Sequence, residues 1–285
     1  MLASTGVEPN KRLGQNFLID LNLLNLLLKS AQISRNDVVL EVGAGTGSLT
    51  EALAKQAGKV IAVEFDKNLA QIAAEQLSSS DNVIIINSDV LENKNAIDYK
   101  VTEAMEATCN EFYGRMMLVA NLPYSVASPV MMNLILGPVV ADSMVVTVQK
   151  EVADRMTAEP GHNNYGILSI FMAAAGNAKI IRKLSPKVFW PQPQVDSTMI
   201  RFDRDNKKIA RMYSVELFKE VVNLFMAHRR KMMKACVKFA DGNLAKIHNW
   251  HDIFGHAFVE PHRRPEELTA ENYIAMANLC YESLQ

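Results

Sequence analysis

The chain has 285 residues, of which 49% are hydrophobic and 21% charged, and its formal net charge is -1. Such a composition belongs to a globular protein with a large core and room for a second, smaller domain. It leaves a nucleic-acid partner to be met by a local basic patch instead of overall positive charge.

Cys109, Cys236 and Cys280 are far apart and odd in number, which argues against a disulfide framework or a cysteine zinc site. No apolar run reaches transmembrane length, and the first residues lack a signal-peptide core. A cytoplasmic protein with no membrane partner is expected.

The first predicted feature is a polar arm or loop containing Lys11, Arg12, Leu13, Gly14, Gln15 and Asn16. Asp20 then reads as the N-cap of a helix with Leu23, Leu24, Leu27 and Leu28 at helical spacing. From Asp37 strands and helices alternate. Val38 to Val42 is a buried-type strand ending in Gly43, Ala44, Gly45, Thr46 and Gly47, and Val60 to Val63 is a second, closed by Glu64. Val83 to Ile86 ends near Asp89, Met116 to Ala120 ends at Asn121, and Met144 to Val148 is a fifth strand. This alternation predicts an α/β fold with a parallel, doubly wound sheet, in which ligands bind beyond the carboxyl ends of the strands. The glycine turn, Glu64, Asp89 and Asn121 all fall at such ends.

The polar stretch from Glu92 to Gly114 is long for a connection and gets no function, and Lys179 to Arg201 reads as extended chain interrupted by Pro186, Pro191 and Pro193. Past Arg204 the pattern is helical. Tyr213 to Phe239 is amphipathic and runs into a basic cluster, and Thr269 caps a final helix. The expected division is 1–205, an arm plus a Rossmann-like domain, and 206–285, a small all-helical domain.

The glycine turn lacks both phosphate-binding signatures. Position 48 is Ser48 where a dinucleotide fingerprint needs glycine, and no Gly-Lys-Ser/Thr ending is present. A glycine turn with acids closing the next two strands suits S-adenosylmethionine, whose ribose diol and adenine amine both seek acceptors. Asn121, Leu122, Pro123 and Tyr124 then form an amine site. The Asn121 amide oxygen and the Leu122 carbonyl accept from an exocyclic NH2 group while Tyr124 stacks on the ring. Two such hydrogen bonds favour a pyramidal nitrogen whose lone pair faces a sulfonium methyl, with no metal or covalent nucleophile needed. In the stretch Phe189 to Ser197, Pro191 and Pro193 stiffen a loop that presents Phe189 or Trp190 as a second wall for an extruded base.

These blocks, KRLGQNFL, EVGAGTGSLTEAL, VIAVEFD, NSDVL, NLPYSVASP, VQKEVADRM with YGILS, FWPQPQVDS, HRRK and RPEEL, resemble the ribosomal RNA adenine N6,N6-dimethyltransferases along essentially the whole chain. The resemblance implies a class I S-adenosylmethionine-dependent enzyme that dimethylates two adjacent adenosines near the 3′ end of small-subunit rRNA. It also implies action on an immature small subunit, as a monomer. By that resemblance Gln15, Asn16 and Leu18 line the methionine side of the donor, and Gly43 and Gly45 form its backbone turn. Glu64 takes the ribose, and Asp89 with Val90 the adenine. Asn121, Leu122 and Tyr124 hold the target amine, Asn121 also bordering the donor, and Phe189 is the second stacking ring. Arg229, Arg230, Lys231 and Lys234, in the basic cluster, are expected to meet RNA phosphates. His248, His251 and His256 lack a matching ligand set, so no metal is expected. The rivals are a DNA adenine amino-methyltransferase and a nucleic-acid-binding assembly or transcription factor that has lost turnover.

Overall fold

The computed structural model describes residues 15–285. The arm read at Lys11 to Gly14 lies outside the described residues. In chain order the strands are β1 (Phe17–Leu18), β2 (Val38–Val42), β3 (Lys59–Glu64), β4 (Val83–Asn87), β5 (Leu91–Asn93), β6 (Ala96–Ile97), β7 (Met116–Asn121), β8 (Ser143–Gln149), β9 (Gly176–Leu184), β10 (Phe189–Trp190) and β11 (Ser197–Arg204). Seven form one sheet in the order β4-β3-β2-β7-β8-β11-β9, with β1-β10 and β5-β6 as two-stranded pairs.

In that sheet β4, β3, β2, β7 and β8 pair in parallel. Central ones such as VVLEV and MMLVAN are near-continuously apolar because the segments that cross over between parallel strands cover both faces. The sheet is not parallel throughout. β11 joins β8 antiparallel, with Ser197 opposite Gln149. This strand comes from the proline-interrupted stretch in which sequence alone gave only extended chain.

After β2 the chain builds outward through β3 and β4, then returns to place β7 on the other side of β2. The switch point between β2 and β7 is where a crevice opens in such sheets. Asp37, at the foot of β2, fixes this junction. It accepts from the Arg115 backbone N–H at 2.9 Å and from Arg115 Nη2 at 2.7 Å. The helix Leu21–Ala31 starts at Asp20, whose carboxylate accepts from the N–H groups of Asn22 and Leu23. The insertion 92–114 holds the β5-β6 pair and the helix Tyr99–Glu111.

Two compact units are present. Among the described residues the first holds 15–153 plus Lys179–Arg204, and the second holds Asp154–Ala178 plus Asp205–Gln285. The second unit therefore takes in 154–178, which sequence order alone left with the sheet. The physical reason is the helix Ile167–Ala175, apolar nearly all round, with Phe171 packed 5.8 Å from Phe218. A second cluster joins Phe225 to Trp250, Phe254 and Tyr273. The amphipathic helix expected to run to Phe239 stops sooner. It spans Val215–Ala227, and the basic residues that follow lie on a turn, the short helix Met233–Cys236 and a 3-10 turn. No helix among the described residues is long and apolar enough to cross a membrane.

Candidate active site

At the carboxyl end of β2 the backbone turns through Gly43 and Gly45 at φ +83° and +58°, conformations that side chains with a Cβ rarely adopt. Space is tight as well, so that a side chain would have to displace its neighbours. A Cβ on Gly43 would lie 3.0 Å from the Pro123 ring, and one on Gly45 would lie 2.8 Å from the Phe17 ring. The turn is held to β3 by Gly43 N–H donating to the Val63 carbonyl at 2.8 Å. The Glu64 carboxylate accepts from Gly45 N–H at 2.8 Å and from Asp66 N–H at 2.9 Å. Burial raises the Glu64 pKa against the pull of those N–H donors. Beneath it Glu41 is buried and accepts from the Thr50 hydroxyl at 2.6 Å. Burial, outweighing that hydrogen bond and reinforced by the charge of Glu64, pushes the Glu41 carboxyl up to about 8.

At the end of β7 both ends of the Asn121 amide are fixed. Its Nδ2 donates to the Asn16 carbonyl at 2.7 Å, and its Oδ1 accepts from the Thr147 hydroxyl. Thr147 faces Asn121 across the β7-β8 ladder and is 1% exposed. Leu122 N–H donates to the Thr147 carbonyl at 3.1 Å. The Tyr124 hydroxyl is 2.7 Å from Ser197 Oγ, and burial raises its pKa.

These strand ends enclose one crevice of about 940 Å³, counting its open mouth. Of the residues expected at the donor, Gln15, Asn16, Gly43, Gly45, Glu64, Asp89 and Val90 line it, and so do Asn121, Leu122 and Tyr124. Its other walls are apolar or neutral, and no Lys, Arg or His is among the described lining residues. The buried Ser88 Oγ at its edge has no hydrogen-bond partner among the described residues. Acceptors without cations fit a neutral adenosine bearing a positive sulfonium, and they oppose a phosphate. S-adenosylmethionine therefore fits these residues.

Two expected residues are placed elsewhere. Leu18 and Phe189 pack into the core with Leu27, Val119 and Leu184, and Phe189 is 3% exposed. The cause is the period of two in the small β1-β10 pair, where Leu18 faces Phe189 and Phe17 faces Trp190. Phe17 lines the crevice, and its ring stacks at 6.4 Å and 26° on Trp190, which is 40% exposed. Phe65, exposed and lining the crevice next to Glu64, was also not singled out, although an aromatic residue directly after the strand-ending acid was visible in the sequence. Thr147 could not be found that way, because in SMVVTVQ it reads as one more β-branched strand residue.

In the second unit Arg229 is committed within the fold. Its guanidinium pairs with Glu266 at 2.7 Å and donates to the Asn163 carbonyl at 3.3 Å. Arg230, Lys231 and Lys234 are exposed. Lys231 Nζ sits 5.6 Å over the Phe239 ring, on which His228 stacks at 4.0 Å.

Comparison with known proteins agrees with this geometry. The model of the family described as "Ribosomal RNA adenine dimethylase" matches residues 6–279. The chain is 40% identical to the ribosomal RNA small subunit methyltransferase A of Alkaliphilus oremlandii, over 94% of this chain and 91% of that protein. It is 39% identical to the protein of the same name from Pediococcus pentosaceus, over 98% and 92%. Among solved structures it is similar to a dimethyladenosine transferase from Plasmodium falciparum (TM-score 0.74, 21% identity, 94% of this chain and 98% of that one). It is also similar to the 23S rRNA methyltransferase ErmE (TM-score 0.63, 21% identity, 92% and 98%). Those two likenesses give the fold, a class I methyltransferase sheet. The family follows from the match across the chain: this protein belongs to the ribosomal RNA adenine dimethylases.

Proposed function

We propose that the protein transfers methyl groups from S-adenosylmethionine to N6 of adenosine in small-subunit rRNA, twice per base, giving N6,N6-dimethyladenosine. The finer reading is two adjacent adenosines near the 3′ end, reached on an immature small subunit in the cytoplasm. The observation that carries the chemistry is a crevice with acceptors and no cation among its described lining residues, with Asn121 fixed at its edge.

When bound, S-adenosylmethionine supplies an electrophilic methyl on a sulfonium. The chain's own residues do the rest. Glu64 accepts from the ribose hydroxyls, Asp89 and Val90 flank the adenine, and the Gly43–Gly45 turn lets backbone come close. Asn121 Oδ1, with one lone pair taken by Thr147, offers the other to the target amine. That hydrogen bond, with one to the Leu122 carbonyl, localises the nitrogen lone pair and aims it. Tyr124 supports the base by stacking. No general base is assigned, because the N–H becomes strongly acidic once the nitrogen has four substituents. Arg230, Lys231 and Lys234 contribute phosphate contacts from the second unit.

The test is transfer of a labelled methyl group to immature small subunits, naked small-subunit rRNA and duplex DNA, followed by nucleoside analysis. Dimethyladenosine in the RNA is expected. Label confined to duplex DNA would favour the amino-methyltransferase of DNA, and no transfer to any substrate would favour a protein that only binds.

A further inference from the structure

Residues 160–195 contain no Asp or Glu, although acids slightly outnumber cations in the whole chain. Four cations fall in that stretch: Lys179, Arg182, Lys183 and Lys187. The first three lie on β9, at the free edge of the large sheet, and all four are exposed. None of the four forms an ion pair among the described residues. The acid on the neighbouring strand, Asp203, is held by Arg201 Nε at 2.7 Å, and the Lys179 charge acts on it without forming an ion pair. At about 3.3 Å per residue, Lys179 to Lys183 spans roughly 13 Å of extended chain. The same segment then leads through Lys187 to Trp190, the exposed ring stacked on crevice-lining Phe17.

Cations on an edge strand also hinder pairing with another sheet. That role accounts for charges on β9, but not for Lys187 beyond the strand or for an exposed tryptophan after it. A positive track ending in an aromatic face is the arrangement that binds single-stranded nucleic acid, with phosphates along the cations and a base on the ring.

We propose that Lys179, Arg182, Lys183 and Lys187 form an RNA track on the catalytic unit. It guides the single strand flanking the target adenosine toward the crevice, with Trp190 stacking on a base of that flank. This inference rests on the rRNA reading above. It assigns the sheet edge a substrate contact separate from the basic cluster of the second unit.

The test compares wild type with the triple variant Lys179→Gln, Arg182→Gln, Lys183→Gln, using a labelled single-stranded RNA that carries the target adenosines and their flanks. Binding is measured across a salt series. Removing three phosphate contacts should lower the slope of log K against log salt by about two, at roughly 0.7 per contact. S-adenosylmethionine binding should not change. A second readout uses the unaltered chain. RNA should quench Trp190 fluorescence, whereas buried Trp250 should not respond, and Trp190→Phe should abolish the quenching. An unchanged salt slope in the triple variant, or quenching that survives Trp190→Phe, overturns the proposal while the function stands. If wild type neither binds nor methylates RNA, the reading beneath it fails as well.

Discussion

Thr147 and Asn121 face each other across the β7-β8 ladder, and the buried Thr147 hydroxyl donates to the Asn121 amide oxygen. With Asn16 accepting from the opposite end, the amide cannot flip without turning its oxygen onto a carbonyl. Valine has nearly the same shape but removes the hydrogen bond to Oδ1, so that the Asn16 carbonyl alone holds the amide and its oxygen is aimed less tightly at the amine. Thr147→Val is therefore expected to slow single-turnover methyl transfer about tenfold, the scale of a small misplacement of a reacting group. Donor affinity should be unchanged, and Thr147→Ser should restore the rate. Equal rates in the valine and wild-type proteins would show that the hydroxyl only fills a hole.

Phe189 and Trp190 are neighbours with opposite environments, one in the core and one exposed. Phe189→Ala should cost about 3 kcal/mol, as for other large-to-small core changes, and lower the melting temperature. Trp190→Ala should leave the melting temperature near wild type and weaken RNA binding. The reverse pattern in thermal denaturation and binding would return the stacking role to Phe189.

That pair shows what the sequence could and could not reveal. Glu64, Asp89 and Asn121 were legible because each ends a local apolar run, and strand ends converge in a parallel sheet whatever the loops do. Which of Phe17 and Leu18, or of Phe189 and Trp190, meets the crevice depends on the phase of a two-residue ladder between segments far apart in the chain. No local pattern sets that phase. The end of the helix at Ala227 was hidden for a related reason. Lysines and arginines favour helices well enough to continue one on paper, yet Met233 N–H is held by the Arg263 carbonyl, a distant partner. The segment 154–178 lies among sheet strands in sequence, and only packing assigns it to the helical unit.

Glu41 gives a pH prediction. Its carboxyl titrates near 4.5 when exposed and near 8 in the fold, chiefly through burial. The folded state therefore holds a proton that the unfolded state releases between those values. Stability from this group is complete below about 4.5 and is lost as pH rises toward about 8. Glu41→Gln removes the titration and the repulsion with Glu64. Melting temperatures from pH 5 to 9 should fall more steeply for wild type than for the variant. Parallel curves would mean that Glu41 is not protonated in the fold.

The claim on which the account turns is that Asn121 acts as an acceptor aiming the target amine and is not needed to hold the donor. The direct measurement is single-turnover transfer from labelled S-adenosylmethionine to small-subunit rRNA by Asn121→Ala, with donor binding measured calorimetrically on the same sample. The account predicts a rate lower by about 10² or more, the scale of losing one transition-state hydrogen bond, with donor binding retained. Dimethylation at the wild-type rate would contradict it.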